Sequence, residues 1–220
     1  MLGLTRELIA ARIARELKDG DYVNLGIGIP TMVADFIPND VEIVFHSENG
    51  ILKYGPIVED PEKMDAELVN AGAQPVSLLP GACFFHQADS FAMVRGGHID
   101  VCVLGGLQVS ELGDLANWMI PERGVGNIGG AMDMVTGGNR VIVAMEHTQP
   151  NGEPRLVREC TYPLTAKGVV NTVVTNLAYI EVTPQGLVLK EVAPGVSPED
   201  VQKVTEARLI IPTDIKEMNL

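Results

Sequence analysis

The stretch Tyr22-Val23-Asn24-Leu25-Gly26-Ile27-Gly28-Ile29-Pro30-Thr31, with the run Val41-Glu42-Ile43-Val44-Phe45 that follows it, sets the fold class. The first four residues read as a short strand, and Gly26 and Gly28 mark a turn. Met32, Val33, Phe36 and Ile37 then recur at helical spacing until Pro38 stops them. The β-branched run 41–45 completes a strand, glycine turn, helix, strand unit. Such a unit joins parallel strands through a crossover helix. The expected fold is therefore α/β, a mostly parallel open sheet with crossover helices and glycine-rich loops at strand ends. Ser47-Glu48-Asn49-Gly50 sits where the second strand stops, the end at which such sheets place their ligands. A lightly solvated carboxylate there, approached by backbone at Gly50, suits a nucleophile. A glutamate capping a turn is the ordinary alternative, and position alone leaves both open.

On either side of this unit, other elements are legible. Residues 5–18 read as an amphipathic helix, with Thr5 as N-cap, Ile9, Ile13 and Leu17 on one stripe, and Gly20 as the stop. Residues 53–67 are polar and acidic, with Pro56 and Pro61, and read as a surface excursion. Strands are expected at 76–79, 99–104 and 140–145, the second ending at Gly105-Gly106, and a short helix at 90–94. The glycine-rich stretch 112–138 reads as loops of active-site character. Residues 167–176 read as a helix, and 177–183 and 187–192 as a hairpin around Pro184-Gln185-Gly186. Ser197 opens a last helix with Pro198 at its first position. With no repeat, linker or low-complexity tract to divide it, the chain reads as a single domain over 1–220.

The 220 residues are 46% hydrophobic and 20% charged, and no apolar run approaches the roughly 18 residues a membrane span needs. The beginning of the chain carries Arg6 and Glu7 rather than a signal-type apolar stretch, so a soluble, cytoplasmic protein is expected. Cys83, Cys102 and Cys160 are odd in number, far apart and without metal-type spacing, which supports neither a disulfide framework nor a zinc site. The net charge of −13 argues against a nucleic-acid partner. It also means that an anionic ligand must be held by backbone amides, a few local cations or another chain.

Gly26-x-Gly28 resembles the start of a dinucleotide fingerprint, but Pro30 and Thr31 follow and no third glycine arrives on spacing, so NAD binding is not expected. The segment does offer amide N–H groups at a helix start. Asn24, just upstream, either adds a side-chain amide to that site or is simply a polar strand end. His46 lies two residues before Glu48, on the same strand face if the strand continues, yet no Gly-x-Ser-x-Gly elbow gives it a nucleophilic partner. His98 and His147 read as satisfied structural residues, because no local spacing assembles three metal ligands.

Six segments in order carry a resemblance: Asn24 to Thr31, Ser47-Glu48-Asn49-Gly50, Asn70-Ala71-Gly72, Ser90 to His98, Leu115-Ala116-Asn117-Trp118, and Gly129-Gly130-Ala131-Met132-Asp133. Together they resemble the B subunit of family I 3-oxoacid CoA-transferases, from the first helix to about residue 210. The resemblance implies a CoA-transferase fold of the NagB/RpiA-like kind, with Glu48 as nucleophile. It puts Asn24, Gly26, Gly28 and Asn49 at the oxyanion and substrate, and Gly72, Gly129 and Gly130 against CoA. The implied reaction is reversible, ping-pong transfer of CoA from an acyl-CoA such as succinyl-CoA to a 3-oxo acid through a glutamyl-CoA thioester. It calls for no metal and no cofactor beyond the CoA thioester substrate. It also implies a separately encoded A subunit and an α2β2 heterotetramer. His46, the run 84–90 and the run 159–163 look like the 3-oxoadipate branch, whereas Asn117 to Pro121 is also typical of the acetoacetate branch. Ala73 stands where the family often has Lys, which removes one expected CoA contact. The alternatives are an acyl-CoA hydrolase on the same scaffold and a non-catalytic ligand-binding regulator.

Overall fold

The computed structural model describes residues 3–137 and 139–220, so Gly138 of the glycine-rich stretch lies outside the described residues. In chain order the strands are β1 (Tyr22–Leu25), β2 (Val44–Ser47), β3 (Ile51–Ile57), β4 (Val76–Phe84), β5 (Val101–Gly105), β6 (Gln108–Ser110), β7 (Leu115–Ala116), β8 (Arg140–Met145), β9 (Leu156–Val157), β10 (Thr172–Thr175), β11 (Ala178–Thr183), β12 (Gly186–Val192), β13 (Leu209–Ile210) and β14 (Lys216–Glu217). The helices are α1 (Arg6–Ala14), α2 (Ile29–Met32), α3 (Gln87–Arg95), α4 (Ala131–Met134) and α5 (Pro198–Lys203).

One large sheet runs β13-β12-β11-β10-β8-β5-β1-β2-β3-β4, with β14 beside β12, and a small sheet runs β7-β6-β9. The centre of the large sheet is parallel: β1 pairs with β2 and β5, β5 with β8, and β8 with β10. The flanks β2-β3-β4 and β10-β11-β12 are antiparallel. Alternation along the central strands divides the core in two, because successive side chains leave opposite faces. Cys102, Leu104, Val141, Val143 and Val173 join one apolar cluster, to which α3 gives Val94 and α5 gives Val201. Val101, Val103, Ile142, Ala144 and Val174 join the other, which α1 covers with Ile9 and Ile13. Burying each such Val or Ile stabilises the fold by about 1.5–3 kcal/mol.

The mostly parallel α/β sheet follows the sequence expectation, and several local readings change. The second strand is 44–47 rather than 41–45, because its parallel register with β1, Tyr22 to Val44 and Asn24 to His46, begins at Val44. That shift makes Glu48 the first residue beyond the strand. Residues 53–57 of the expected surface excursion belong instead to β3, which begins at Ile51 and pairs antiparallel to β2 and β4; residues 58–67 remain a largely exposed loop. Strand β4 continues through Pro80, which a sheet edge tolerates because one side of the strand needs no N–H donor. The expected helix at 167–176 is instead an extended segment ending in β10. Thr172, Val173, Val174 and Thr175 are all β-branched, and they lie between β8 and β11. Among the described residues, the crossovers from β5 to β8 and from β8 to β10 also lack a long helix; the first carries β6, β7 and the single turn of α4.

The N-terminal caps of α1 and α5 match their sequence signals, whereas α1 stops at Ala14 rather than running on to residue 18. Thr5 Oγ1 accepts from Leu8 N at 3.4 Å, and Ser197 Oγ from Asp200 N at 3.1 Å. Among the described residues no helix is long and apolar enough to cross a membrane, and no group of three His, Cys, Asp or Glu side chains is placed to hold a metal ion.

Candidate active site

The parallel strands β1, β2 and β5 end side by side, at Leu25, Ser47 and Gly105. A cavity of about 350 Å³ opens there, lined by Glu48, Gly26, Gly105, Gly106, Gly129 and Gly130 among others. Five of the sixteen lining residues are glycines, and at two of them backbone has to come close. A Cβ on Gly130 would stand 3.0 Å from both carboxylate oxygens of Glu48, and one on Gly26 would stand 3.2 Å from Val103 O. Among the described residues, the N–H groups of Gly130 and Ala131 begin α4 without a carbonyl partner, and Gly129 N donates to Asn127 Oδ1 at 3.2 Å.

Glu48 is half-buried, and its carboxyl is pushed above the ordinary range, first by burial and then by the negative charge of Asp133. Neither influence is offset by a hydrogen bond to the carboxylate among the described residues. Asp133 is itself paired with Arg95, whose Nε donates to Asp133 Oδ1 at 2.8 Å. Among the described residues, Glu48 is the one ionisable side chain that lines the cavity. A carboxylate so weakly solvated keeps its lone pairs available for attack, as a nucleophile requires.

The turn that carries Glu48 is held on every side. Ser47 Oγ accepts from Ala71 N at 2.8 Å, and Asn49 Nδ2 donates to Val69 O at 2.7 Å, which ties the turn to the Asn70-Ala71-Gly72 loop. Gly50, at φ +118°, lies so close to Phe85 that a Cβ would meet its carbonyl oxygen at 2.2 Å, and Phe85 N donates to Gly50 O at 3.0 Å. Only glycine fits there.

The structure brings Glu48, Gly26, Gly129 and Gly130 together in the cavity. Gly72 stands next to the lining residue Ala71, its N–H donating to Asn70 Oδ1 at 2.9 Å. Gly28 caps α2 and Asn49 is exposed, and both lie outside the lining. Asn24 is also placed differently from the expectation of an amide beside the nucleophile. It is buried, and its Nδ2 donates to His46 Nδ1 at 3.0 Å and to His46 O at 3.2 Å, so both amide hydrogens are taken. Ala73 holds φ +60°, a backbone state that a side chain rarely adopts.

Sequence reading missed Ser47 and Asp133 as parts of the site; both sat inside quoted motifs, but their partners are distant in the chain. His147 is the satisfied structural residue expected, buried with Nδ1 2.9 Å from Thr175 Oγ1 and Nε2 2.8 Å from Thr205 Oγ1. A larger groove of about 1040 Å³, lined by Ile37, Phe45 and Tyr54 with Asp35, Asp40 and Glu42, holds neither Glu48 nor a glycine loop from the parallel strand ends.

Asp133→Asn removes the negative charge that raises the Glu48 carboxyl and so lowers its pKa. Activity that needs ionised Glu48 is lost as pH falls through its pKa, so the acid limb of the kcat/KM profile should move to lower pH in this variant. A limb that stays in place or moves up would show that Asp133 does not act on Glu48.

The model of the family described as coenzyme A transferase matches residues 6–204. The beta subunit of the acetate CoA-transferase of Haemophilus influenzae is 50% identical over 98% of this chain and 96% of its own length. The B subunit of the succinyl-CoA:3-ketoacid coenzyme A transferase of Helicobacter pylori is 51% identical over 92% and 97%. The B subunit of the 3-oxoadipate CoA-transferase of Acinetobacter baylyi is 47% identical over 94% and 95%. In fold, the chain is similar to an acyl-CoA transferase from E. coli O157:H7, with a TM-score of 0.76 at 20% identity, covering 100% of this chain and 44% of that one. The match over nearly the whole chain, with a carboxylate cradled by glycine loops at the parallel strand ends, means that this chain belongs to the coenzyme A transferase family.

Proposed function

We propose that this chain is the nucleophile-bearing half of a CoA-transferase that moves CoA from an acyl-CoA, such as succinyl-CoA, to a 3-oxo acid. The observation that carries this reading is the Glu48 carboxylate, half-buried, without a hydrogen-bond partner among the described residues, and so close to Gly130 that a Cβ there would stand 3.0 Å from both its oxygens. A Glu48 oxygen attacks the thioester carbonyl, the C–S bond breaks, and CoA leaves as thiolate with an acyl-glutamyl anhydride behind it. The thiolate sulfur then attacks Glu48 Cδ, the anhydride C–O bond breaks, and the donor acid departs as carboxylate. The acceptor carboxylate reverses both steps on the resulting glutamyl thioester. Electron pairs and charge balance with no net proton transfer, so these steps require no metal, nucleotide or redox cofactor.

The amides of Gly130 and Ala131 are suited to holding each tetrahedral oxyanion, a role in which a single donor is commonly worth about 3 kcal/mol. Gly26 N already donates to Val103 O at 2.8 Å, and Gly28 lies outside the lining, so these two shape the approach instead. Gly72 and Gly129 are assigned to the approach of CoA. A companion A subunit closes the site, most simply in an α2β2 heterotetramer, and keeps water from the anhydride. The relatives named for acetate, 3-oxoadipate and 3-ketoacids make these the acceptor classes to try.

The test is a donor and acceptor panel with the paired subunits, scoring acceptor-CoA formed against free thiol released. Acceptor-CoA in excess supports transfer. Free thiol alone would make the protein a thioester hydrolase on the same scaffold.

A further inference from the structure

A chain of three buried polar side chains is centred on His46, two residues upstream of Glu48. Asn24 on β1 is 2% exposed, His46 on β2 is 1% exposed and Ser90 on α3 is fully buried. Asn24 Nδ2 lies 3.0 Å from His46 Nδ1, and Ser90 Oγ lies 2.8 Å from His46 Nε2. The direction of these bonds follows from a third contact. Asn24 Nδ2 also reaches the His46 carbonyl oxygen at 3.2 Å, and only an N–H can donate to that oxygen, so the amide nitrogen faces the histidine. His46 Nδ1 is therefore an acceptor, its single proton sits on Nε2, and Nε2 donates to Ser90 Oγ. Burial pushes the imidazole down to about 4, which keeps it neutral and preserves this tautomer at ordinary pH.

The ring is also stacked on Phe85, with centroids 6.1 Å apart and planes 12° from parallel. Phe85 is the residue whose backbone clasps Gly50, two positions beyond Glu48. His46 thus anchors the strand before the nucleophile, and the same Phe85 holds the turn after it. Burying three polar side chains in an apolar setting is costly unless each is bonded, and apolar residues would fill the space more cheaply. Stability alone gives no reason to keep such a relay at the base of the reactive turn.

We propose that Asn24, His46 and Ser90 form a neutral positioning relay that sets the orientation of the Glu48 carboxylate toward its substrate, with Asn24 acting through His46. This role rests on Glu48 being the nucleophile. A displacement of about 1 Å at a reacting group can cost on the order of 10²-fold in rate without touching the chemistry directly. The relay therefore acts on kcat and leaves the ground-state affinity for acyl-CoA nearly alone.

The experiment uses the chain with its companion subunit and compares His46→Leu, Ser90→Ala and His46→Gln with wild type. Steady-state kcat and KM, covalent labelling of Glu48 by CoA, thermal unfolding and the imidazole ¹⁵N spectrum are measured. His46→Leu should lose about 100-fold in kcat with KM moved by less than about threefold. Ser90→Ala, the milder change if His46→Leu folds poorly, should lose about tenfold in the same manner. His46→Gln, whose amide can accept from Asn24 and donate to Ser90, should restore most of the loss. The wild-type spectrum should show a bare Nδ1 and a protonated Nε2. Loss confined to thermal stability, a rise in KM at constant kcat, failure of Gln to outperform Leu, or a proton on Nδ1 would each overturn the relay. A wild type that turns over through labelled Glu48 beside a His46→Leu of equal kcat defeats the relay alone. A wild type never labelled at Glu48 defeats the transferase reading and the relay with it.

Discussion

Glu48→Gln, assayed with the companion subunit, should lose CoA transfer by a factor on the order of 10⁴–10⁶, as removal of a covalent nucleophile does elsewhere. The substitution keeps the size of the side chain and changes one oxygen to an amide nitrogen. Among the described residues, the cavity contains no second ionisable side chain to take over the attack. Neighbouring structure should be undisturbed, because the turn is held by Ser47, Asn49 and Gly50 rather than by the Glu48 side chain. Incubation of wild type with acyl-CoA followed by borohydride should convert Glu48 to an alcohol, visible by peptide mass spectrometry, and Glu48→Gln should give no such product. Gln can deamidate back to Glu, so Glu48→Ala serves as the control that cannot revert. Wild-type turnover in the Ala variant would remove Glu48 from the mechanism.

The isolated chain should show no measurable turnover, and addition of the A subunit should restore it together with a mass on light scattering that matches two copies of each chain. Electrostatics supplies the first reason. CoA is polyanionic and the acyl groups considered are acids, yet the chain carries a net charge of −13, and among the described residues its cavity offers a carboxylate and no cation. Asp133 adds a second negative charge close to Glu48. Backbone amides can hold one oxyanion, but a bound polyanion calls for positive potential from elsewhere. The cavity mouth supplies a second reason. Ile27 and Ile128 are 74% and 48% exposed, and both line the cavity. Large apolar side chains gathered at a site commonly mark a surface that another chain covers. Full turnover by the purified chain would refute this, and would mean that its own glycine loops suffice to hold CoA.

Local sequence was enough for the class of fold and the place of the chemistry. The strand, glycine turn, helix and strand of residues 22–45 announced parallel strands through local periodicity, a property that neighbouring residues carry without help from the rest of the chain. The ordered motifs brought Glu48, Gly26, Gly129 and Gly130 to notice, and all four line the cavity. Local signals served less well where pairing decides conformation. The run ending in Thr172 to Thr175 became a strand because β8 and β11 lie on either side of it, and β3 runs on from Ile51 into the stretch read as a surface excursion because β2 and β4 offer it partners. Packing in three dimensions placed Asn24 against His46 rather than beside Glu48, and joined Ser90, Phe85 and the 69–71 loop to the reactive turn. Those contacts link residues about 20 or more positions apart in the chain. A hydrogen bond's partner is settled by the geometry of packed elements, and no local pattern in the chain encodes it.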